Sequence, residues 1–204
     1  MINKKILGII FAVLLCVSCI FLYIITSSRE YTIDSPYEFT LTPKDEEWDN
    51  IKTKGEALSY CYIPDDILKD MTTAALVETV LEYPFITDYF SYNSYLEAAR
   101  VFEREFNGFK ELFKRKDATA ALLDVYETSE LATENTENKE FFRVSDIEFL
   151  IAYDRIKNPD WSGEEVEEFE KLLEDKERER DNSNLYSPAS STYLRFTEEA
   201  ADLL

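Results

Sequence analysis

Twenty consecutive uncharged residues, Ile6 to Ile25, follow Lys4 and Lys5. At the helical rise they make a rod of about 30 Å, the thickness of a bilayer's hydrocarbon core. Fourteen of the twenty are Ile, Leu, Phe or Val. At roughly −0.3 to −0.6 kcal/mol each, their insertion is favourable by about 4 to 8 kcal/mol, which outweighs the few weakly polar members. The basic flank keeps Lys4 and Lys5 cytoplasmic and sends the long remainder across. The expectation is an uncleaved signal anchor, because the run exceeds the apolar stretch of a cleavable signal peptide. Two alternatives stay open. One is cleavage at Thr26-Ser27-Ser28. The other is a lipoprotein acylated at Cys19, for which Val17-Ser18-Cys19 fits the end of a lipobox, although Cys16 and the apolar Ile20-Phe21-Leu22 depart from the usual pattern. All three put residues 30–204 outside the cytoplasm. The expected organisation is an anchor over 1–28, an extended linker over 29–43 and an all-α extracytoplasmic domain over 44–204.

Charge narrows the partners. Residues 1–29 carry Lys4, Lys5 and Arg29 and no acid, so the remaining 175 residues hold all 42 acids and 19 of the 22 bases, a net charge of −23. Such a field repels nucleic acid and attracts cationic partners; it also serves plain solubility. The chain has no histidine, which removes Ser-His-Asp and Cys-His catalysis and His-containing zinc sites. Of three cysteines only Cys61 lies beyond the apolar run, so it has no internal disulfide partner there and is expected to be a small buried hydrophobe. No cofactor or metal site is expected. No glycine-rich phosphate loop or zinc constellation occurs, and Asp45 to Asn50 lacks the ligand spacing of a calcium loop; its acids suit the first turn of a helix.

Residues 31–42 alternate, with Tyr31, Ile33, Tyr37, Phe39 and Leu41 on one parity. This is the period of an extended segment, and Pro36 restricts it to an edge or a strap. Beyond Pro43 the period is helical. Thr42-Pro43 opens a helix through Trp48, Ile51 and Leu58. Pro64 starts a short helix to Asp70, Thr72 caps the next, and Pro84 ends it. Ser94/Glu97, Ser145/Glu148 and Ser162/Glu165 each have capping-box spacing. Asn107-Gly108 reads as a stop or kink, Asp117 as a cap with Arg115 placed to pair with it across a helix junction, and Thr192 to Leu204 as a terminal helix. Glu167–Lys171 and Glu174–Arg178 are spaced for ion pairs on the outer face of the last long helix. The fold class expected is all-α, an irregular multi-helix array or bundle behind a transmembrane helix and a short leash.

Six aromatics fall within Tyr83 to Tyr95. Rings this dense serve either as a core corner between helices or as a ligand platform. Tyr89, Tyr92 and Tyr95 are the members expected to be exposed and are the candidate ligand-binding residues. Any catalytic carboxylate pair would have to be found among 42 acids, and nothing in the spacing marks one, so no catalytic residue is assigned; a carboxylate-pair hydrolase of envelope glycans stays the alternative.

The stretches IPDDILKDMTTAALVETVLEYP (63–84) and FNGFKELFKRKDA (106–118) resemble a segment of uncharacterised exported helical proteins of Gram-positive gut bacteria. The resemblance covers residues 62–126. It implies a helical domain behind an export signal and no activity. The function expected is a membrane-anchored extracytoplasmic module that binds a protein or an envelope component, with the lipid bilayer as a partner through Ile6 to Ile25 and no nucleic acid. A scaffolding lipoprotein acylated at Cys19 is a further alternative.

Overall fold

A central helix covered on all sides organises the fold. The computed structural model describes residues 32–134, 136, 141–186 and 191–201. The apolar run Ile6 to Ile25, Cys19 and Tyr31 lie outside the described residues, within which no helix is long and apolar enough to cross a membrane. The described helices are α1 (Lys54–Ser59), α2 (Asp65–Asp70), α3 (Thr73–Leu81), α4 (Tyr95–Glu105), α5 (Asn107–Leu112), α6 (Ala118–Thr128), α7 (Arg143–Lys157), α8 (Gly163–Asp181) and α9 (Thr192–Ala201), with 3-10 turns at Glu46–Asn50 and Ile86–Ser91. The described residues contain no strand, which establishes the all-α class there; one parallel bridge joins Ile33 to Met71. Residues 146–154 of α7 are all buried, and α6, α9, α3 and α4 pack around it.

Local signals set several boundaries. Thr72 accepts from the Ala75 N–H and opens α3. Ser94 accepts from the Glu97 N–H and opens α4. At α8 the box is reciprocal: Ser162 accepts from the Glu165 N–H at 3.1 Å, and the Glu165 carboxylate accepts from the Ser162 N–H at 2.6 Å. Each such cap satisfies amide donors that have no partner inside the helix.

Five expectations are corrected. The helix expected from Trp48 to Leu58 is two pieces, because Thr53 takes an extended conformation and caps a separate α1. Asn107-Gly108 is a start. The Asn107 amide accepts from the Ile63 N–H at 3.1 Å and donates to the Ile63 carbonyl at 2.7 Å, mimicking a backbone partner. Ser145 and Glu148 do not form a box, because α7 already begins at Arg143 and both lie in its interior. Asp117 stands at the start of α6 but makes no side-chain cap; its carboxylate accepts from the Thr73 hydroxyl. Arg115 does not pair with Asp117. Its guanidinium donates to the carbonyls of Leu68 and Met71 at 2.8 and 2.6 Å, at the C-terminal end of α2, where a cation meets the negative end of the dipole.

Gly108 is packed rather than flexible. A Cβ there would stand 2.5 Å from Phe106 Cζ and 2.9 Å from Ile63 Cδ1. Phe106 has little freedom to retreat, since its ring stacks on Tyr83 with centroids 4.3 Å apart and planes 6° from parallel. Gly108→Ala is expected to destabilise the domain by about 1–3 kcal/mol despite alanine's higher helix propensity, because overpacking of this size exceeds the propensity gain of about 1 kcal/mol. Urea denaturation measures it, and a stabilised variant would show that Phe106 yields.

Candidate functional site

The extended segment leading into the domain is a strap that forms one wall of a groove. The compact body begins at Ile33. The Ile33 N–H donates to the Asp70 carbonyl at 2.7 Å, and the Ile33 carbonyl accepts from Thr72 at 2.9 Å. Four residues on, the Tyr37 N–H donates to the Thr79 hydroxyl at 2.9 Å, while that hydroxyl donates to the Ala75 carbonyl. The alternation read from the sequence holds over this stretch: Tyr37, Phe39 and Leu41 are half-buried, and Glu38 and Thr40 are exposed. Phe39 meets Phe106 at a centroid distance of 5.9 Å. Thr42 ends the strap by donating its N–H and hydroxyl to the Asp45 carboxylate.

Between the strap, α3 and the first turns of α7 the larger part of the groove encloses about 870 Å³, with Tyr37, Phe39, Tyr83, Ile86 and Phe142 among its lining. A smaller part, about 490 Å³, continues past Leu81 and Arg143 to Glu130 and Leu131. Lys44, Glu82 and Asp146 border both parts, so the two adjoin. Volumes of this order suit a small ligand or a short chain segment. The charged lining comprises five carboxylates, Glu38, Glu78, Glu82, Glu130 and Asp146, against two cations, Lys44 and Arg143. Arg143 is already engaged, donating to both oxygens of Glu78 at 2.7 and 2.9 Å. The groove thus combines an aromatic and aliphatic lining with the exposed carboxylates of Glu38, Glu82 and Glu130.

The candidate tyrosines lie elsewhere. Tyr89 is 0% and Tyr95 4% exposed, which corrects the expectation that they face solvent. Tyr89 stacks on Phe149 of α7 with centroids 4.4 Å apart and planes 8° from parallel. Tyr95 meets Tyr89 edge-on at 5.5 Å and Phe196 of α9 at 5.9 Å. The aromatic cluster is a core corner, because α7 and α9 supply rings that complete it. Burial pushes the Tyr89 hydroxyl's pKa well up. Tyr92 is half-buried; its hydroxyl accepts from Lys54 at 3.3 Å, and its ring stands edge-on to Phe102.

Two buried carboxylates, Glu148 and Asp154, are each held by several donors. Glu148 is fully buried and accepts from Tyr126, Arg180, the Ser191 hydroxyl and the N–H groups of Thr192 and Tyr193. Asp154 accepts from Thr119 at 2.7 Å and from the Trp161 indole at 2.9 Å. Burial nevertheless holds its carboxyl above the usual range, with the two hydrogen bonds opposing. Cys61 is 1% exposed, and burial pushes its thiol up to about 12, far from the thiolate chemistry a nucleophile needs. Among the described residues no group of three or more His, Cys, Asp or Glu is placed to hold a metal ion.

Fold and groove define an all-α domain with an acid-rimmed apolar cleft. No protein-family model matches this chain, and neither does any curated protein or solved structure. Sequence reasoning had not singled out Glu38, Glu78, Phe142 or Arg143. The available signal was the period-two strap with its proline, which marks a segment lying over something; what it lies over is set by contacts 40 and more residues away, as between Tyr37 and Thr79.

Proposed function

We propose that this chain is a membrane-tethered, non-enzymatic interaction module. In this reading Ile6 to Ile25 spans the bilayer, Lys4 and Lys5 stay cytoplasmic, and the acidic helical body stands outside the cytoplasm, where its groove receives a protein or an envelope component. The observation that carries the binding role is the groove itself, two adjoining parts lined by aromatic side chains and bordered by the exposed carboxylates of Glu38, Glu82 and Glu130. The hydropathy of the run and its basic flank support the tether and its direction. The resemblance of residues 62–126 to exported helical proteins of Gram-positive gut bacteria agrees with the address.

Alkaline carbonate washing of membranes is expected to leave the full-length protein in the pellet. A shortened, soluble species would replace the anchor by cleavage. Palmitate incorporation that is lost in Cys19→Ser would replace it by acylation. A reporter fused after Leu204 is expected to be active only outside the cytoplasm, and cytosolic activity would overturn the orientation. Clearing of a cell-wall substrate in a zymogram would overturn the non-enzymatic assignment.

A further inference from the structure

Where α6, α7 and α8 meet, one buried carboxylate has no counter-ion. Asp154 is 2% exposed. Its partners are two neutral donors, the Thr119 hydroxyl of α6 and the Trp161 indole, and both bonds fall on Oδ2. Among the described residues no lysine or arginine bonds to it. Arg155, its neighbour in sequence, donates instead to the Pro159 carbonyl at 3.3 Å and lies over the Trp161 ring at 5.1 Å. Glu148, on the same helix, differs in having Arg180 as its ion-pair partner.

The ionised form of Asp154 is opposed from three sides. Burial strips its hydration and supplies no bonded cation in exchange. It stands in the last turn of α7, at the negative end of the dipole. Glu165, in the first turn of α8, adds a like charge. In favour of ionisation stand the two hydrogen bonds and the charge of Arg155; Thr119, which α6 presents, does not titrate. Burial is the largest of these influences, and the balance favours the neutral acid.

Protonation fits the geometry. A proton on Oδ1 leaves Oδ2 to accept from Thr119 and Trp161 as before. The strength of those bonds changes, because a bond to a charged acceptor is roughly twice as strong as one to a neutral acceptor. Trp161 lies in the connection 158–162 and meets Phe169 of α8 edge-on at 5.7 Å. Its indole bond therefore ties the start of α8 to the end of α7.

We propose that Asp154 is an acid-responsive group built into this junction: it takes up a proton on mild acidification while the domain stays folded, and protonation slackens the bond that holds Trp161 to α7. The chain has no histidine, so a response above the ordinary carboxylate range falls to a buried acid of this kind. Because the folded state favours the neutral acid, this group makes the domain more stable as pH falls through its folded pKa. It adds nothing further below the unfolded value of about 3.9. The inference is independent of the tether and of the groove.

Carbon-13 NMR of the side-chain carboxyls tests it, on full-length protein in detergent micelles titrated from about pH 8 to about pH 3, with the Trp161 indole N–H followed in the same samples. The Asp154 carboxyl, identified by its loss in Asp154→Asn, is expected to titrate at least about 0.5 pH unit above 3.9. The indole N–H signal is expected to move upfield with the same inflection, as a charged acceptor gives way to a neutral one. In Asp154→Asn that movement is expected to vanish. Asparagine carries no charge at any pH, so the urea midpoint of the variant, relative to wild type, is expected to be higher at about pH 7 than at about pH 4.

An Asp154 inflection at or below about 3.9 would overturn the proposal, since Thr119 and Trp161 would then hold the ionised form. Loss of amide dispersion in wild type before Asp154 protonates would also defeat it, as would a midpoint difference that ignores pH. An indole signal that fails to follow the carboxyl, or that keeps its pH dependence in Asp154→Asn, would remove the link to the junction. The titration of wild type decides the matter even where Asp154→Asn does not fold, with the signal then assigned through its connectivity to the Asp154 backbone.

Discussion

Glu148→Ala is expected to lower the unfolding free energy by about 3–5 kcal/mol, the range for removing one partner of a buried ion pair. The loss comes from several groups at once. Glu148 and Arg180 are 0% and 2% exposed at their side chains and meet at 2.5 Å. Without the carboxylate, Arg180 keeps its ion pair with the part-exposed Glu177 but loses its fully buried partner. Tyr126 loses the acceptor of its hydroxyl. The N–H groups of Thr192 and Tyr193, at the start of α9, lose their cap, which by itself is worth about 1 kcal/mol. For a domain of ordinary stability, about 5–15 kcal/mol, this is a large fraction. Glu148→Gln keeps an acceptor near α9 and leaves Arg180 with the Glu177 carboxylate alone, so it is expected to fall between wild type and the alanine variant. Glu148→Met with Arg180→Met removes both charges at similar volume and is expected to recover part of the loss, since the desolvation of both ions is removed with their attraction. Urea denaturation of wild type, Glu148→Met, Arg180→Met and the double variant completes the cycle. Additive losses in the double variant would mean that the two side chains do not act as a pair.

Tyr89→Ala is expected to cost about 3–5 kcal/mol, the range for removing a large ring from a closed core. The ring is fully buried, lies parallel to Phe149 and stands edge-on to Tyr95. Phe149 in turn meets Phe102 and Phe196 at 5.9 and 5.5 Å, so the cavity opens where four helical segments meet and none can collapse without moving the others. Tyr92→Ala is expected to cost less than about 1.5 kcal/mol, because that ring is half-buried and its hydroxyl holds an exposed lysine. Thermal and urea unfolding of the two single variants separate the positions. A nearly neutral Tyr89→Ala would return that ring to the surface, where the sequence pattern had placed it.

The same contrast shows how far residues alone carry the description. Ring density between Tyr83 and Tyr95 identified an aromatic centre but not its partners. Which rings close inward depends on Phe149 and Phe196, 60 and 107 residues beyond Tyr89, and no local period reports them. Glu148 is the sharper case. Three residues after Ser145 it has the spacing of a reciprocal cap, and its carboxylate does cap a helix. The helix is α9, whose Thr192 N–H lies 44 residues further on. At Ser162 and Glu165 the same spacing forms the box it announces, because α8 begins there and neither side chain is drawn into the interior. Arg115 behaves like Glu148: adjacent charge led to Asp117, but the guanidinium serves the end of α2.

The residues alone determined the helical class beyond Pro43, the alternating burial from Tyr37 to Leu41 before it, the absence of histidine chemistry and the caps at Thr72, Ser94 and Ser162. These are decided within about four positions along the chain, where backbone sterics, side-chain period and amide satisfaction all act. The tertiary structure alone decided that residues 146–154 of α7 are all buried, that Tyr89 belongs to the core, that Glu148 serves a distant helix, and that the strap and α3 leave a groove between them. Each of these depends on which surfaces meet after collapse. Burial and pairing are properties of neighbours in space, and here those neighbours are tens of residues apart in sequence.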